Sequence, residues 1–146
     1  MLYSEHLAQI LNNYCPFCDI EHQYPLEKGK YFYVIAARAP YTKNHLLIIP
    51  KRHILSIQDL QQKEEKELWT LTDERTKKLE TTHEACTILL RNGAARGISG
   101  KSIDHLHLHI VPDCEINAKN SESRHYFPEK QYLGEIKRIK NEFLKR

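Results

Sequence analysis

The most regular pattern of apolar and polar positions is the stretch His105-Leu-His-Leu-His-Ile-Val-Pro112, where histidine and aliphatic residues alternate. Strand side chains point alternately to opposite faces. This period of two therefore predicts a strand with His105, His107 and His109 on one face and Leu106, Leu108 and Ile110 on the other. Two continuous apolar runs, YFYVIAA over 31–37 and HLLIIP over 45–50, are rich in β-branched and aromatic residues. A loop with Pro40 and Asn44 separates them, and they read as neighbouring strands. TILLRN over 87–92 is a further strand candidate.

Elsewhere the period is near 3.6. Leu2, Leu7, Ile10 and Leu11 predict a short helix over 2–12, followed by the turn-like Cys15-Pro-Phe-Cys18. From Asp59, with Gln62 three residues on as a capping box, Leu68, Leu71, Leu79 and Cys86 recur at near-helical spacing and predict a long central helix. After Pro128, Tyr132, Ile136, Ile139 and Phe143 form one stripe of a C-terminal helix over 128–146. A glycine-bearing loop, GAARGISGKS, leads into the histidine strand, and the polar stretch CEINAKNSESRHYF follows it. Strands before and after a long helix, joined by short loops, predict an α+β fold with a largely antiparallel sheet. The chain shows no internal repeat or low-complexity linker, and its 146 residues suit a single domain, 1–146, able to bury a core without disulfides.

The net charge of +3 is mild, and much of the excess lies in the last ten residues, where Lys137, Arg138, Lys140, Lys145 and Arg146 face only Glu142. A solvated helix face accounts for that tail better than an acidic partner does. Nucleic-acid binding is not expected, because aromatic stacking platforms do not interleave with the basic residues. No apolar run approaches the ~20 residues of a membrane span, and the start lacks the features of a secretion signal. The expectation is a soluble, cytoplasmic protein. Four cysteines in such a chain argue against a disulfide framework.

Neutral imidazole is a metal ligand, a nucleophile and a proton carrier near neutrality. Three in a row suit one metal site, one catalytic site, or one of each. Cys15 and Cys18 have the spacing that lets two thiolates meet one zinc ion, with two further ligands from elsewhere. The same spacing serves thioredoxin-like redox chemistry, but that arrangement wants a preceding strand, which is absent here. Histidines are the natural third and fourth ligands.

Taken together, these segments resemble the histidine triad (HIT) superfamily of nucleotide hydrolases and transferases. The triad over 105–111 matches its signature, and CPFC, NHLLIIPKRH over 44–53, RNG over 91–93 and GKSIDH over 100–105 follow in order. The resemblance covers about 14–113. It implies an antiparallel sheet of about five strands with a long helix packed on it, in a homodimer. It also implies a structural zinc ion, one per chain, held by Cys15, Cys18, His53 and His105. His107 falls where the family has its nucleophile, forming a covalent nucleotidyl-histidine at the α-phosphate. His109 falls where the family's third, catalytic histidine contacts the phosphate and the leaving oxygen, Asn92 and Ser102 match phosphate-contacting positions, and His45 matches a residue that helps to orient the active-site histidine. Histidine rather than glutamine at 109, in a short chain, points to the hydrolase side.

The chain departs from the family pattern at two places. Lys101 replaces the usual glutamine and either holds a polyphosphate tail or leaving group or projects into solvent. Ala37 stands where the family has its ribose-binding acid, and Arg38 lies next door but, as a strand neighbour, points to the opposite face. The function implied is a nucleotide hydrolase or nucleotidyltransferase acting on a dinucleoside polyphosphate or nucleoside phosphoramidate. The alternative is a catalytically weak nucleotide-binding or regulatory protein.

Overall fold

The computed structural model describes Leu2, residues 14–95, Lys101 and residues 103–144. Five strands, β1 (Glu27–Lys28), β2 (Phe32–Ala36), β3 (Leu46–Pro50), β4 (Cys86–Leu90) and β5 (Leu108–Pro112), form one sheet in the order β1-β2-β3-β5-β4. Every neighbouring pair is antiparallel. Helix α1 (Gln62–Leu79) separates β3 from β4, while α2 (Ala118–Glu122) and α3 (Glu129–Ile139) follow β5. The α+β class and the five-stranded antiparallel sheet with helices therefore hold. No helix among the described residues is long and apolar enough to cross a membrane.

The continuous apolar runs of β2 and β3 are explained by cover on both sides of the sheet, since every residue of both strands is buried. On one face, Phe32, Val34, Ile48 and Ile110 pack against Leu68 and Leu71 of α1 and against Tyr132 and Ile136 of α3. On the other, Tyr33, Ile35, Leu47 and Ile49 pack under Phe17, from the 3-10 turn Pro16–Cys18. The Tyr33 hydroxyl donates to the Phe17 carbonyl at 2.5 Å, which pins that turn over the sheet. The Tyr132 hydroxyl donates to the carbonyls of Ala36 (2.6 Å) and Gln23 (3.2 Å), tying α3 to the end of β2.

Several sequence expectations shift. The helix over 2–12 lies outside the described residues apart from Leu2, which bridges to His125. The central helix does not start at Asp59. That residue ends a 3-10 turn (Ile57–Asp59), and Gln61 caps α1 in a capping box with Glu64. Cys86 is not on the helix but opens β4, because α1 stops at Leu79 and the chain turns through 80–85. The strand of the histidine row begins only at Leu108, so His105 and His107 stand on the segment entering it. The polar stretch after Pro112 contains α2, whose N-cap Asn117 and Asn120 satisfy each other's backbone N–H groups. The two-residue β1 is too short and too charged to leave a pattern.

Candidate functional site

The sheet face under Phe17 carries the chemistry. In the register, His109 lies opposite Leu47 of β3 and Leu89 of β4, which puts it on the face shared with Ile35 and Leu47. The His107 ring lies between two others, 4.9 Å from His109 and 5.0 Å from Phe17, centroid to centroid. All three histidines of the row are buried.

His105, His107 and His45 each have one nitrogen committed to a backbone partner whose role is fixed, and these partners assign the tautomers. His107 Nδ1 lies 2.8 Å from the carbonyl oxygen of His105. A carbonyl only accepts, so Nδ1 carries the proton and Nε2 keeps its lone pair. His105 Nε2 meets the carbonyl of Pro50 at 2.7 Å, which leaves its Nδ1 as the free base. His45 Nδ1 accepts the Tyr41 backbone N–H at 3.1 Å. His45 Nε2 therefore bears hydrogen and donates to His109 Nδ1 at 2.9 Å, which leaves His109 with its hydrogen on Nε2. The ring that His45 meets is thus His109. Asn44, with φ +70° before His45, uses the left-handed region that asparagine tolerates to turn the chain into β3.

Burial keeps these rings neutral. Desolvation holds His107 and His105 down at about 4 and His45 at about 3, and it pushes His109 well below the ordinary value. Arg91 and Arg124 add a positive field, Arg91 on His107 and both on His109.

The free Nδ1 of His105 faces the thiols of Cys15 at 3.3 Å and Cys18 at 3.5 Å, while His53 Nδ1 lies 3.2 Å from Cys18. The four ligand atoms all lie within 4.8 Å of one another. Two thiols and two imidazoles at such separations fit the edges of a tetrahedron about one zinc-sized ion. Desolvation and the adjacent Cys15 thiol push the Cys18 thiol up to about 11. A divalent cation supplies the opposite charge that makes thiolates favourable. His53 is seated through its neighbour, because the Arg52 guanidinium grips the buried Glu64 carboxylate at 2.8 and 2.9 Å near the start of α1.

A cavity of about 620 Å³, counting its mouth open to solvent, lies over His107 and His109. Asn92 and Lys101 do not line it. The Asn92 amide accepts from the Ile57 N–H at 2.7 Å and donates to Gln58, and its side chain is on the surface. Lys101 projects neither into solvent nor into the cavity. Its ammonium is buried and donates to the carbonyls of Gly93 (2.5 Å) and Leu55 (3.1 Å), tying the loop after β4 to the loop after β3. Ser102 lies outside the described residues. Arg38 corrects another expectation. Strand β2 ends at Ala36, alternation stops with it, and Ala37 and Arg38 both line the cavity.

Sequence reasoning passed over Arg91, Arg124 and Tyr126, which also line it. Arg91 adjoins the RNG segment and was within reach of that signal. Arg124 and Tyr126 come from the C-terminal stretch, which here completes the cavity of its own chain. Arg124 lies over the Tyr41 ring at 4.2 Å, beside the His45–His109 pair.

A family model for the HIT domain matches residues 25–116, more than half of the chain. The chain is 28% identical over 104 residues to an AP-4-A phosphorylase of Mycobacterium tuberculosis, a match covering 66% of this chain and 52% of that protein. It is 30% identical over 82 residues to a bifunctional bis(5'-adenosyl)-triphosphatase/adenylylsulfatase of Arabidopsis thaliana, covering 55% of this chain and 44% of that one. The chain thus spans about half the length of these relatives. A crystal structure of a Zn-bound histidine triad family protein from Mycobacterium smegmatis superposes with a TM-score of 0.60 at 20% identity, covering 87% of this chain and 96% of that one.

Buried neutral His45 makes stability depend on pH. Its folded value of about 3 lies below the ordinary 6.5, so the unfolded chain binds the extra proton between those values. Stability is therefore full above about pH 6.5 and is lost as pH falls towards 3. At pH 5 this one ring costs about 2 kcal/mol. Urea titrations at pH 7 and pH 5 should show His45→Gln losing less between the two than the unaltered protein loses, by about that amount. Equal losses would contradict the assignment.

Proposed function

The chain belongs to the HIT domain family, and from that premise we propose that it is a nucleotide hydrolase or nucleotidyltransferase working through His107. The observation that carries this reading is the tautomer. A neutral ring with its lone pair on Nε2, held by a backbone carbonyl on Nδ1, is a nucleophile ready at neutral pH. An uncharged nucleophile also approaches an anionic phosphate without repulsion. The substrates named for the relatives, AP-4-A and bis(5'-adenosyl) triphosphate, guide the choice of a dinucleoside polyphosphate as first substrate, with a nucleoside phosphoramidate as the second.

The Nε2 lone pair of His107 attacks the α-phosphorus, an N–P bond forms, and the bond to the leaving group breaks with its electron pair leaving on that group. The ring becomes a cation, and the His105 carbonyl that accepts from Nδ1 stabilises the positive charge. His109 donates a hydrogen bond from Nε2–H to the departing oxygen, with His45 fixing its orientation. Arg91 and Arg124 offset phosphate charge. Water or another acceptor then attacks the phosphorus, the N–P electrons return to His107, and the attacking group releases its proton to solvent. His107→Ala leaves no nucleophile.

Cys15, Cys18, His53 and His105 would hold zinc, one ion per chain. Four protein ligands close its shell, so the ion supplies cross-linking rather than chemistry, tying the Phe17 turn to the entrance of the histidine row. A homodimer and a reducing, cytoplasmic setting belong to the same proposal. They are supported by the open edge of β4 with Ile88 exposed and by four cysteines without disulfides.

Rapid quenching with a dinucleoside polyphosphate labelled at the α-phosphorus should trap label on His107, and His107→Ala should lower turnover by roughly a thousandfold or more. Normal turnover by that variant would overturn the mechanism, and nucleotide binding without turnover of any labelled substrate would favour a regulatory binder. Elemental analysis should find about one zinc per chain, reduced in Cys15→Ser and His53→Ala proteins. His105→Ala should lower the melting temperature more than His107→Ala does. A fully folded, metal-free protein, or equal melting temperatures, would refute the metal assignment while leaving His107 untouched.

A further inference from the structure

The cavity has two dissimilar parts, a polar group of side chains around His109 and an apolar strip across β3 and β2. On the His109 side stand His45, Tyr41 and Arg124. Donors and positive charge for a leaving oxygen gather here, at His109 Nε2–H and the Arg124 guanidinium, so the leaving group belongs with them and the nucleoside on the apolar strip. The apolar strip begins under Phe17 and runs through Leu47, level with His109, and Ile35 to Ala37, level with His45. It ends at Arg38, connected to the Phe17 turn by a chain of bonds. Arg38 Nε donates to Gln23 Oε1 at 3.4 Å, and Gln23 Nε2 donates to the Pro16 carbonyl at 2.8 Å.

The Arg38 guanidinium is held in place. It lies over the Tyr132 ring at 4.3 Å, Nη1 donates to the Tyr126 hydroxyl at 3.3 Å, and Nη2 donates to the His22 carbonyl. With the Nε bond to Gln23, these two hydrogen bonds use three of the five N–H donors of a guanidinium, and one N–H remains on each terminal nitrogen. A ribose with free hydroxyls is rich in donors and is best met by a carboxylate. Among the described residues lining this cavity there is none, and the one amide oxygen, Gln23 Oε1, already accepts from Arg38. The carboxylates of Asp19 and Glu129 lie in an adjoining cavity beyond Arg38 and are engaged by His22 at 2.8 Å and Tyr24 at 2.5 Å.

A guanidinium only donates, so it complements an acceptor-rich group. The same exchange distinguishes two classes of dinucleotide site, where an acid meets a free 2'-hydroxyl and an arginine meets a 2'-phosphate. Building on the nucleotide reading above, we propose that the nucleoside part of the cavity selects a nucleotide phosphorylated on a ribose hydroxyl, with Arg38 as the specificity-determining residue. The second phosphate meets the Arg38 fork on the cavity side, while the attacked phosphate stays between His107 and His109.

Calorimetric titration of the full chain with AMP, ADP, adenosine 2',5'-bisphosphate and adenosine 3',5'-bisphosphate tests this without turnover. One ribose-phosphorylated nucleotide should bind about tenfold or more tightly than AMP. That advantage should vanish in Arg38→Gln and be partly kept in Arg38→Lys, while any preference for ADP over AMP stays unchanged. Equal binding of AMP and both bisphosphates would overturn the proposal and leave the nucleotide reading standing. So would an advantage that survives Arg38→Gln, or an Arg38-dependent preference for ADP instead, which would move Arg38 to the polyphosphate side. Failure of all four nucleotides to bind would overturn the nucleotide reading together with the proposal. Should Arg38→Gln not fold, the ranking of the four nucleotides on the unaltered chain still decides, because the proposal requires a ribose-phosphorylated nucleotide to rank above AMP.

Discussion

The site depends on a simple constraint: a buried neutral imidazole has one donor and one acceptor, and a partner that fixes one nitrogen fixes the other. Backbone carbonyls of Pro50 and His105 and the Tyr41 N–H set the roles of His105, His107 and His45, and His109 follows through His45. Three side chains that are identical as chemistry thereby become a lone pair facing two thiols, a lone pair facing the cavity, and an N–H donor beside it. Burial reinforces the division, because protonation of any of these rings would carry the full desolvation cost of an interior cation.

That constraint in turn relies on the sheet being covered on both faces. Helices α1 and α3 close one side, and the Phe17 turn closes the other over the histidine row. The ligand cluster that includes Cys15 and Cys18 lies at the foot of this turn, so a metal ion there would hold the lid of the same row whose first member it binds. Arg124 and Tyr126 bring the C-terminal stretch to the cavity, and Tyr132 anchors it through the Ala36 carbonyl. Residues far apart in the chain thus share one wall.

Much of this was legible in the sequence because it is carried by short-range patterns. The period of two in the row, the apolar runs of β2 and β3 and the C-X-X-C spacing each encode local geometry, and the fold class follows from them. The grouping of His53 and His105 with Cys15 and Cys18 rests instead on the resemblance to the histidine triad family, because no local pattern joins residues so far apart in the chain. What was not legible depends on where regular structure stops. Arg38 joins Ala37 in the cavity because β2 ends one residue earlier, and Cys86 belongs to β4 because α1 ends at Leu79 although the apolar spacing runs on. Lys101 reads as an available cation, yet two backbone carbonyls distant in sequence capture it, and no periodicity encodes such partners. The expected helix over 2–12 and Ser102 fall outside the described residues.

The most direct test of the account is the protonation of the histidine rings themselves. Long-range proton–nitrogen correlation spectra of the 15N-labelled protein at pH 7 should show His107 neutral with its proton on Nδ1, and His45 and His109 neutral with theirs on Nε2. A His107 ring protonated on Nε2, or present as the imidazolium at that pH, would contradict it.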